Sequence, residues 1–462
     1  MLIAFLFGVT NRYSFFMHPK NNNRRNQPNN RRPQKRRCPD DARHAAARLI
    51  WLVLEENRTL DEVMASEESY AELSGVNRSF AAAIAKSTLR HLGHIDVLLN
   101  GALQKPLPET AFYARSILRT GIAQYLADLA PAYAIIDRAV ELAKSNKIAF
   151  GMAGLVNAIL RKIVTKEQKP ELKIEDLLPA VWRSRYQSFY GNEITKLIAN
   201  ELLTHSPIDL TILDGDPVDI QDQFGGEILP NGSLRLASLP EGFTALEAWA
   251  NGQVIVQNAA ASIPAKLLGA KPSENILDMC AAPGGKTMQL AATGAKVTAL
   301  DLNEDRLRLV AENLARTKLN AKLICGSAQN KAGENCYDAI LLDAPCSATG
   351  TLKSNLESLW IKSPFDLPKT IQNQEELMRT AAKALKKNGR LVYAVCSLEP
   401  EEADLAVAAA IDAGLRLDPI KAEEVSGLEI AIEARGTMRI LPHYWSDKGG
   451  LDGFFIARFL KL

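Results

Sequence analysis

Little in this chain points to a metal centre, a disulfide framework or a membrane anchor. The six cysteines, at positions 38, 280, 325, 336, 346 and 396, include no CxxC pair, and there are only six histidines. Zinc sites need closely spaced ligands, so no metal is expected. The scattered cysteines also lack the spacing of a secreted disulfide scaffold, which predicts free thiols in a reducing cytoplasm. No unbroken apolar run reaches the roughly 20 residues that a spanning helix needs. The opening MLIAFLFGV is apolar but has no basic flank and falls short of that length. Met17, directly before a basic stretch, is the expected start of the chain. The net charge of +2 is small because the excess positive charge is confined to the beginning.

What is present divides the 462 residues into several regions, since a domain takes about 100–200 residues. Residues 1–39 form an arm whose HPKNNNRRNQPNNRRPQKRR stretch holds nothing that could join a core, and disorder is expected there. Such an arm suits either polyanion binding or simple solubilisation; phosphate attraction would add affinity without choosing a sequence. Residues 40–165 carry apolar residues at helical spacing, as in ARHAAARLIWLVLEEN, with breaks at Pro106, Pro131 and Lys147. Thr59 and Glu62 have the spacing of a capping box. His91 and His94 read as surface or packing residues on one helix, for want of further ligands. After the polar linker KEQKPEL, residues 173–249 mix helices with short strands (LTIL, SLRLA) as a small α+β connecting region.

From residue 250 to 462 strands alternate with helices: ENILDM, KVTALD, AKLIC, DAILLD and RLVYAV. That spacing predicts parallel βαβ units and a doubly wound α/β sheet. Ligands of such sheets bind beyond the carboxyl ends of the strands, and the chemistry-bearing residues fall there.

After ENILDM comes Cys280-Ala281-Ala282-Pro283-Gly284-Gly285-Lys286-Thr287. Small residues let a ligand approach the backbone, and the next helix offers free N–H groups. The run is not a phosphate-binding GxxxxGKT, because Cys280 stands where its first Gly belongs. Asp301, ending KVTALD, could accept both ribose hydroxyls of a nucleoside cofactor, of NAD and S-adenosylmethionine alike, or cap the helix near Glu304. Asp343-Ala344-Pro345-Cys346 follows DAILLD, and Cys396-Ser397 follows RLVYAV. Two thiols at the ligand edge suit covalent catalysis. Carbon 5 of cytosine is a poor nucleophile, and a thiolate added at carbon 6 creates an enamine-like species that can attack a methylsulfonium.

At VQNAAA (256–261), ILDMCAAPGGKT (276–287), LDAPCSATG (342–350), YAVCSLEPEE (393–402) and LDGFFIARF (451–459) the chain resembles the RsmB/Sun (Fmu) family of 16S rRNA cytosine-C5 methyltransferases, within the Nop/Sun group. The helical region resembles a NusB-type RNA-binding bundle, most closely at VNAILRKI. The resemblance implies a Rossmann-like class I methyltransferase domain. It implies that Cys280, Ala281, Ala282, Pro283, Gly284, Gly285, Lys286, Asp301, Ser327 and Asp343 hold S-adenosylmethionine. It also implies that Asp343 lies beside the target base, that Cys396 is the nucleophile and that Cys346 assists product release. The implied partner is RNA, 16S rRNA in particular, and the implied state is a cytoplasmic monomer.

The sequence departs from the family in places. Ser327, after Gly326, stands where the family has an Asp at the adenine end, and supplies only a neutral hydrogen bond. The segment TLKSNLESLW lacks the family's basic pair; Lys353 reads as its one remaining cation, with Glu357 in place of an acid, so RNA affinity should fall. Val395 and Asn258 replace a Thr and an Asp. Two alternatives follow: an RNA-binding ribosome-assembly protein with a weakened methyltransferase domain, or the same chemistry on a different RNA.

Overall fold

In the first half of the chain, apolar residues recur on one stripe of each helix and the stripes meet. Asp41–Glu55 buries Ala45, Ala46, Leu49, Ile50 and Val53, the spacing of an amphipathic helix. Phe112–Leu126 is buried on nearly every side, including Tyr113, Ile117, Leu118 and Ile122, so it runs through the centre of the bundle. Gly75–Arg90, Leu92–Ala102, Ala132–Ser145 and Ala153–Val164 pack around it. The computed structural model describes residues 41–166 and 168–462; the basic arm, Met17 and Cys38 lie outside them. The chain divides into two compact units, Met1–Glu171 and Leu172–Leu462, and the break falls in the KEQKPEL linker.

Two local readings of the first unit hold. Thr59 Oγ1 accepts from the Glu62 N–H at 3.3 Å while Glu62 Oε2 accepts from the Thr59 N–H at 3.1 Å, the expected reciprocal cap. Pro131 stands at the start of Ala132–Ser145. His91 differs from expectation: it sits at the junction between Gly75–Arg90 and Leu92–Ala102, not on one helix with the buried His94.

In the second unit, helix Ala180–Glu201 bends at Gly191, where φ is 80°. Strands β1 (Ile208–Ile212), β2 (Glu227–Ile228), β3 (Leu234–Leu236) and β4 (Val254–Val256) form an antiparallel sheet in the order β2-β3-β1-β4. The helix Pro217–Phe224, opened by the Asp216 side chain and Pro217, packs beside it.

The main sheet comprises β5 (Asn275–Met279), β6 (Lys296–Asp301), β7 (Lys322–Cys325), β8 (Tyr337–Asp343), β9 (Leu385–Val395), β10 (Leu415–Leu417), β11 (Met438–Ile440) and β12 (Phe454–Lys461). Its order is β10-β12-β9-β8-β5-β6-β7, with β11 paired to β12. The neighbours from β9 to β7 are parallel, and β12 closes the β9 side antiparallel. Both faces are buried: Leu277, Leu300, Ile340 and Leu391 on one side, Ile276, Val297, Leu341 and Val392 on the other. Continuous apolar strands of this kind are what a parallel sheet covered by helices requires. The chain winds outward from β5 through β6 and β7, then returns to β8 on the opposite side. The topological switch point therefore lies at the carboxyl ends of β5 and β8. No helix among the described residues is long and apolar enough to cross a membrane.

Burial, chiefly, and the nearby charge of His94 push the His91 pKa down from 6.5 to about 4. The folded state then binds fewer protons than the unfolded chain, so this contribution to stability is complete above pH 6.5 and is lost as pH falls toward 4. Melting temperatures between pH 7.5 and 4.5 should fall less steeply for His91→Gln than for the parent chain. Parallel curves would remove His91 from the acid response.

Candidate active site

Parallel alignment brings the carboxyl ends of β5, β6, β8 and β9 to one edge, so the motif residues meet although they lie far apart in sequence. The β5 loop begins with Cys280 at φ 62° and turns into helix Gly285–Ala292 through Gly284 at φ 103°. A Cβ at Gly284 would lie 3.1 Å from Val310 Cγ1, so the missing side chain also lets helix Glu304–Thr317 approach the loop. The Ala282 N–H donates to Asp301 Oδ2 and the Asn303 N–H to Asp301 Oδ1, both at 3.0 Å. Asp301 thus fixes the β5 loop. The helix cap that it might have supplied comes from Asn303, which accepts from the Arg306 N–H at 3.0 Å.

Ser327 stands at the carboxyl end of β7, half-buried, and begins the short helix Ala328–Lys331. Its hydroxyl donates to Gln329 Oε1 at 2.5 Å. The preceding Gly326 N–H donates to the Asp301 carbonyl at 2.9 Å, which keeps the two carboxyl ends adjacent. Beneath the loop, Asp278 accepts from Thr287 at 2.5 Å, and burial raises its pKa to about 7. Burial, then the Asp343, Asp301 and Asp278 carboxylates, push the Cys280 thiol up to about 12. Cys280 therefore keeps its proton and takes no part as a nucleophile.

Lys286 turns toward β8 and pairs with Asp343 Oδ2 at 2.7 Å. Burial alone would lower the lysine, but the Asp343 carboxylate, with a smaller contribution from Cys396, leaves it raised, so it stays charged. The Cys346 and Cys396 sulfurs lie 3.4 Å apart. The Cys346 thiol is held well above its ordinary range, first by the hydrogen bond with Cys396 and then by burial.

The sequence motifs did not reveal what holds these thiols together. Glu402, fully buried, accepts from the Ser347 N–H at 2.9 Å, from Gln374 Nε2 at 2.8 Å, from Ser347 Oγ at 2.5 Å and from Ser397 Oγ. Ser347 follows Cys346 and Ser397 follows Cys396, so one carboxylate fastens both thiol-bearing loops. The Gly350 N–H also donates to the Cys396 carbonyl at 3.0 Å, and the Gly453 N–H to the Gly350 carbonyl at 2.8 Å. A Cβ on Gly350 would fall 2.1 Å from the Gly453 carbonyl oxygen. The available signal was the position of Glu402 in the first turn of the helix Pro400–Asp412 that follows the Cys396 loop.

Lys353 does not play the part expected of it. It is 4% exposed, paired with Glu201 Oε2 at 2.7 Å and bonded to the Gly449 carbonyl at 2.6 Å. A buried, satisfied cation cannot meet an RNA phosphate; it braces the loop instead. Glu357 is likewise buried.

Residues 265–460 match the family described as 16S rRNA methyltransferase RsmB/F, and residues 40–165 match the NusB family. A ribosomal RNA small subunit methyltransferase B from Serratia proteamaculans is 30% identical over 439 residues, covering 91% of this chain and 98% of that protein. The chain belongs to the RsmB/F methyltransferase family. The protein of the same description from Pasteurella multocida is 28% identical over 447 residues, covering 91% and 96%. Among solved structures, a methyltransferase homolog from Pyrococcus horikoshii shares 29% identity with TM-score 0.51, covering 61% of this chain and 94% of its own. PH0851 shares the fold, with TM-score 0.71 at 23% identity over 92% of this chain and 99% of its own. As an RsmB/F family member the protein is an RNA methyltransferase, and its methyl donor is S-adenosylmethionine.

Glu402→Gln would set an amide N–H against groups that donate to the carboxylate. Hydrogen bonds to a charged acceptor are each worth about 1.5–3 kcal/mol. Methyl transfer should fall at least tenfold while calorimetric affinity for S-adenosylmethionine is kept. Unchanged turnover would show that the thiol loops close without this carboxylate.

Proposed function

We propose that the protein methylates carbon 5 of a cytosine in 16S rRNA through a covalent bond between Cys396 and the base. The carrying observation is the pair of thiols 3.4 Å apart, beside the Lys286–Asp343 ion pair at the switch-point edge. The names of the RsmB relatives support ribosomal RNA as the target class. The work is divided along the chain, with residues 40–165 as a NusB-like RNA-binding domain, 173–249 as a connecting region and 250–462 as the methyltransferase domain.

S-adenosylmethionine supplies an electrophilic methyl group when bound. The donor set fits it: small residues Ala281 and Ala282, the buried Asp301 for ribose hydroxyls, Ser327 at the next strand end, and the Cys280-to-Lys286 backbone before a helix start. Asp343 serves both the cofactor side and the target base, accepting from the cytosine amino group. The target must leave its stack, because carbon 5 cannot otherwise reach a thiol in a sheet-edge site.

Cys396 Sγ adds to carbon 6, and the displaced π electrons become available at carbon 5. S-adenosylmethionine, held by the β5 loop with Asp301 and Ser327, would supply the methyl group that carbon 5 takes, the electron pair of the broken bond staying on the donor sulfur. A base then removes the carbon 5 proton, the Sγ–carbon 6 bond breaks and the ring is restored. Lys286 places its positive charge beside Cys396, where sulfur attacks and later departs. Cys346 retains its proton, so it can donate to the leaving sulfur and assist release.

Cys396→Ser should abolish methylation. Cys346→Ser should permit one transfer and then leave a protein–RNA adduct, visible as a slow band on a denaturing gel. Lack of that band would contradict the role of Cys346. Bisulfite sequencing of total rRNA and tRNA, with and without the gene, should show one protected 16S cytosine disappear; loss of a tRNA or 23S position would reassign the target.

A further inference from the structure

We propose that the cleft between helix Ala180–Glu201 and the segment after Cys396 binds an unstacked base of single-stranded RNA beside the target cytosine, an inference that rests on the cytosine methylation proposed above. The cleft has a volume of about 360 Å³ and is lined by Arg185, Phe189, Tyr190, Glu399, Pro400 and Glu401 among others. That lies toward the small end of the roughly 300–1,000 Å³ typical of ligand clefts.

Its chemistry favours a base over a phosphate. Phe189 is 50% exposed and stands edge-on to Tyr190, with ring centroids 4.7 Å apart. An exposed ring in a concave site is a stacking platform for a base. Glu399 has its side chain 1% exposed; Oε2 meets Arg185 at 2.7 Å, and Oε1 is buried with no hydrogen-bond partner. A buried acceptor left unpaired is costly, and a ligand N–H would satisfy it. Arg185 also bonds both oxygens of Glu401 at 2.8 Å. Two carboxyl groups thus share one guanidinium, an arrangement that offers little to a phosphate and much to the N–H edge of a base. Burial raises Glu399 to about 7, so near neutrality it can accept or donate.

The cleft is also in the right place. Tyr190 donates its hydroxyl to the Leu398 carbonyl at 2.5 Å, which ties the aromatic wall to the segment that carries Cys396. Glu399 follows Cys396 by three residues, so their Cα atoms are within about 11 Å. Extruding the target cytosine removes a stacking partner from each neighbouring base, and the aromatic wall of the cleft replaces it.

The test uses the full-length protein and short single-stranded oligoribonucleotides that contain one cytosine, with each flanking base replaced in turn by an abasic residue. Affinity is read by fluorescence anisotropy, with methylation kinetics alongside. At one flanking position the abasic change should weaken wild-type binding about tenfold. Phe189→Ala should lose about as much on intact RNA and nothing further on the abasic RNA, with S-adenosylmethionine affinity unchanged. Glu399→Gln should alter which base is preferred at that position. Phe189→Leu keeps apolar bulk and should show the same loss if Phe189→Ala folds poorly. Absence of a sensitive position in the wild type, or variants that retain wild-type sensitivity at every position, would overturn the proposal. Product analysis keeps the two readings apart: a methyl group found elsewhere than carbon 5 overturns the parent reading, while binding alone judges the cleft.

Discussion

One buried carboxylate, that of Glu402, holds the reactive edge together. Its two oxygens accept from groups beside both thiols and from Gln374, which reaches in from helix Leu367–Ala384 and also donates to the Pro345 carbonyl at 2.9 Å. A charged acceptor gathers several donors at once, and each bond gains strength from exclusion of water. The sheet brings two strand ends into register, but strand ends alone leave side chains free to splay apart. The carboxylate turns that rough proximity into a fixed separation between two sulfurs.

The Lys286 ammonium pairs with a carboxylate at this edge. Lys286 lies against Asp343, near Cys396, and 5.5 Å from the centre of the Phe454 ring. Asp278 and Cys280 stay largely or wholly protonated as pH rises toward neutral, because burial opposes their ionisation. The consequence is selectivity among three nearby thiols. Cys280 is surrounded by carboxylates, and Cys346 is held as a donor by its neighbour. Cys396 is the thiol that stands close enough to Lys286 to act on it electrostatically. Local surroundings, more than distance along the chain, set the three thiols apart.

Much of this was legible in the sequence, for reasons that can be stated. The five parallel strands announced themselves because strands buried on both faces are continuously apolar and their connecting helices have a different period. The motif loops could be assigned to one edge because parallel strands share a direction. The cap at Thr59 was legible because its partners are three residues apart. Long-range pairing was not. Lys353 read as a surface cation because nothing nearby in sequence announces Glu201, which neutralises it within the fold. Glu402 lies in a motif that was read, but its partners Ser347 and Gln374 come from other loops and helices. His91 could be judged a packing residue, yet the helix break beside it was not read, since no Pro marks it and the nearby Gly93 lies inside the next helix.

The order of strands in the main sheet carries a consequence for how the protein comes to be assembled. β12 follows β10 in the chain but lies between β10 and β9. Until residues 454–461 arrive, β10 has no neighbour, and β9, the strand that leads into Cys396, presents a bare hydrogen-bonding edge. During synthesis that edge is a template for unwanted pairing with other chains, and the Gly350–Gly453 link that closes the Cys346 loop cannot form. The contacts that close the Cys346 loop therefore wait until residues 453–461 have been made and added to the sheet.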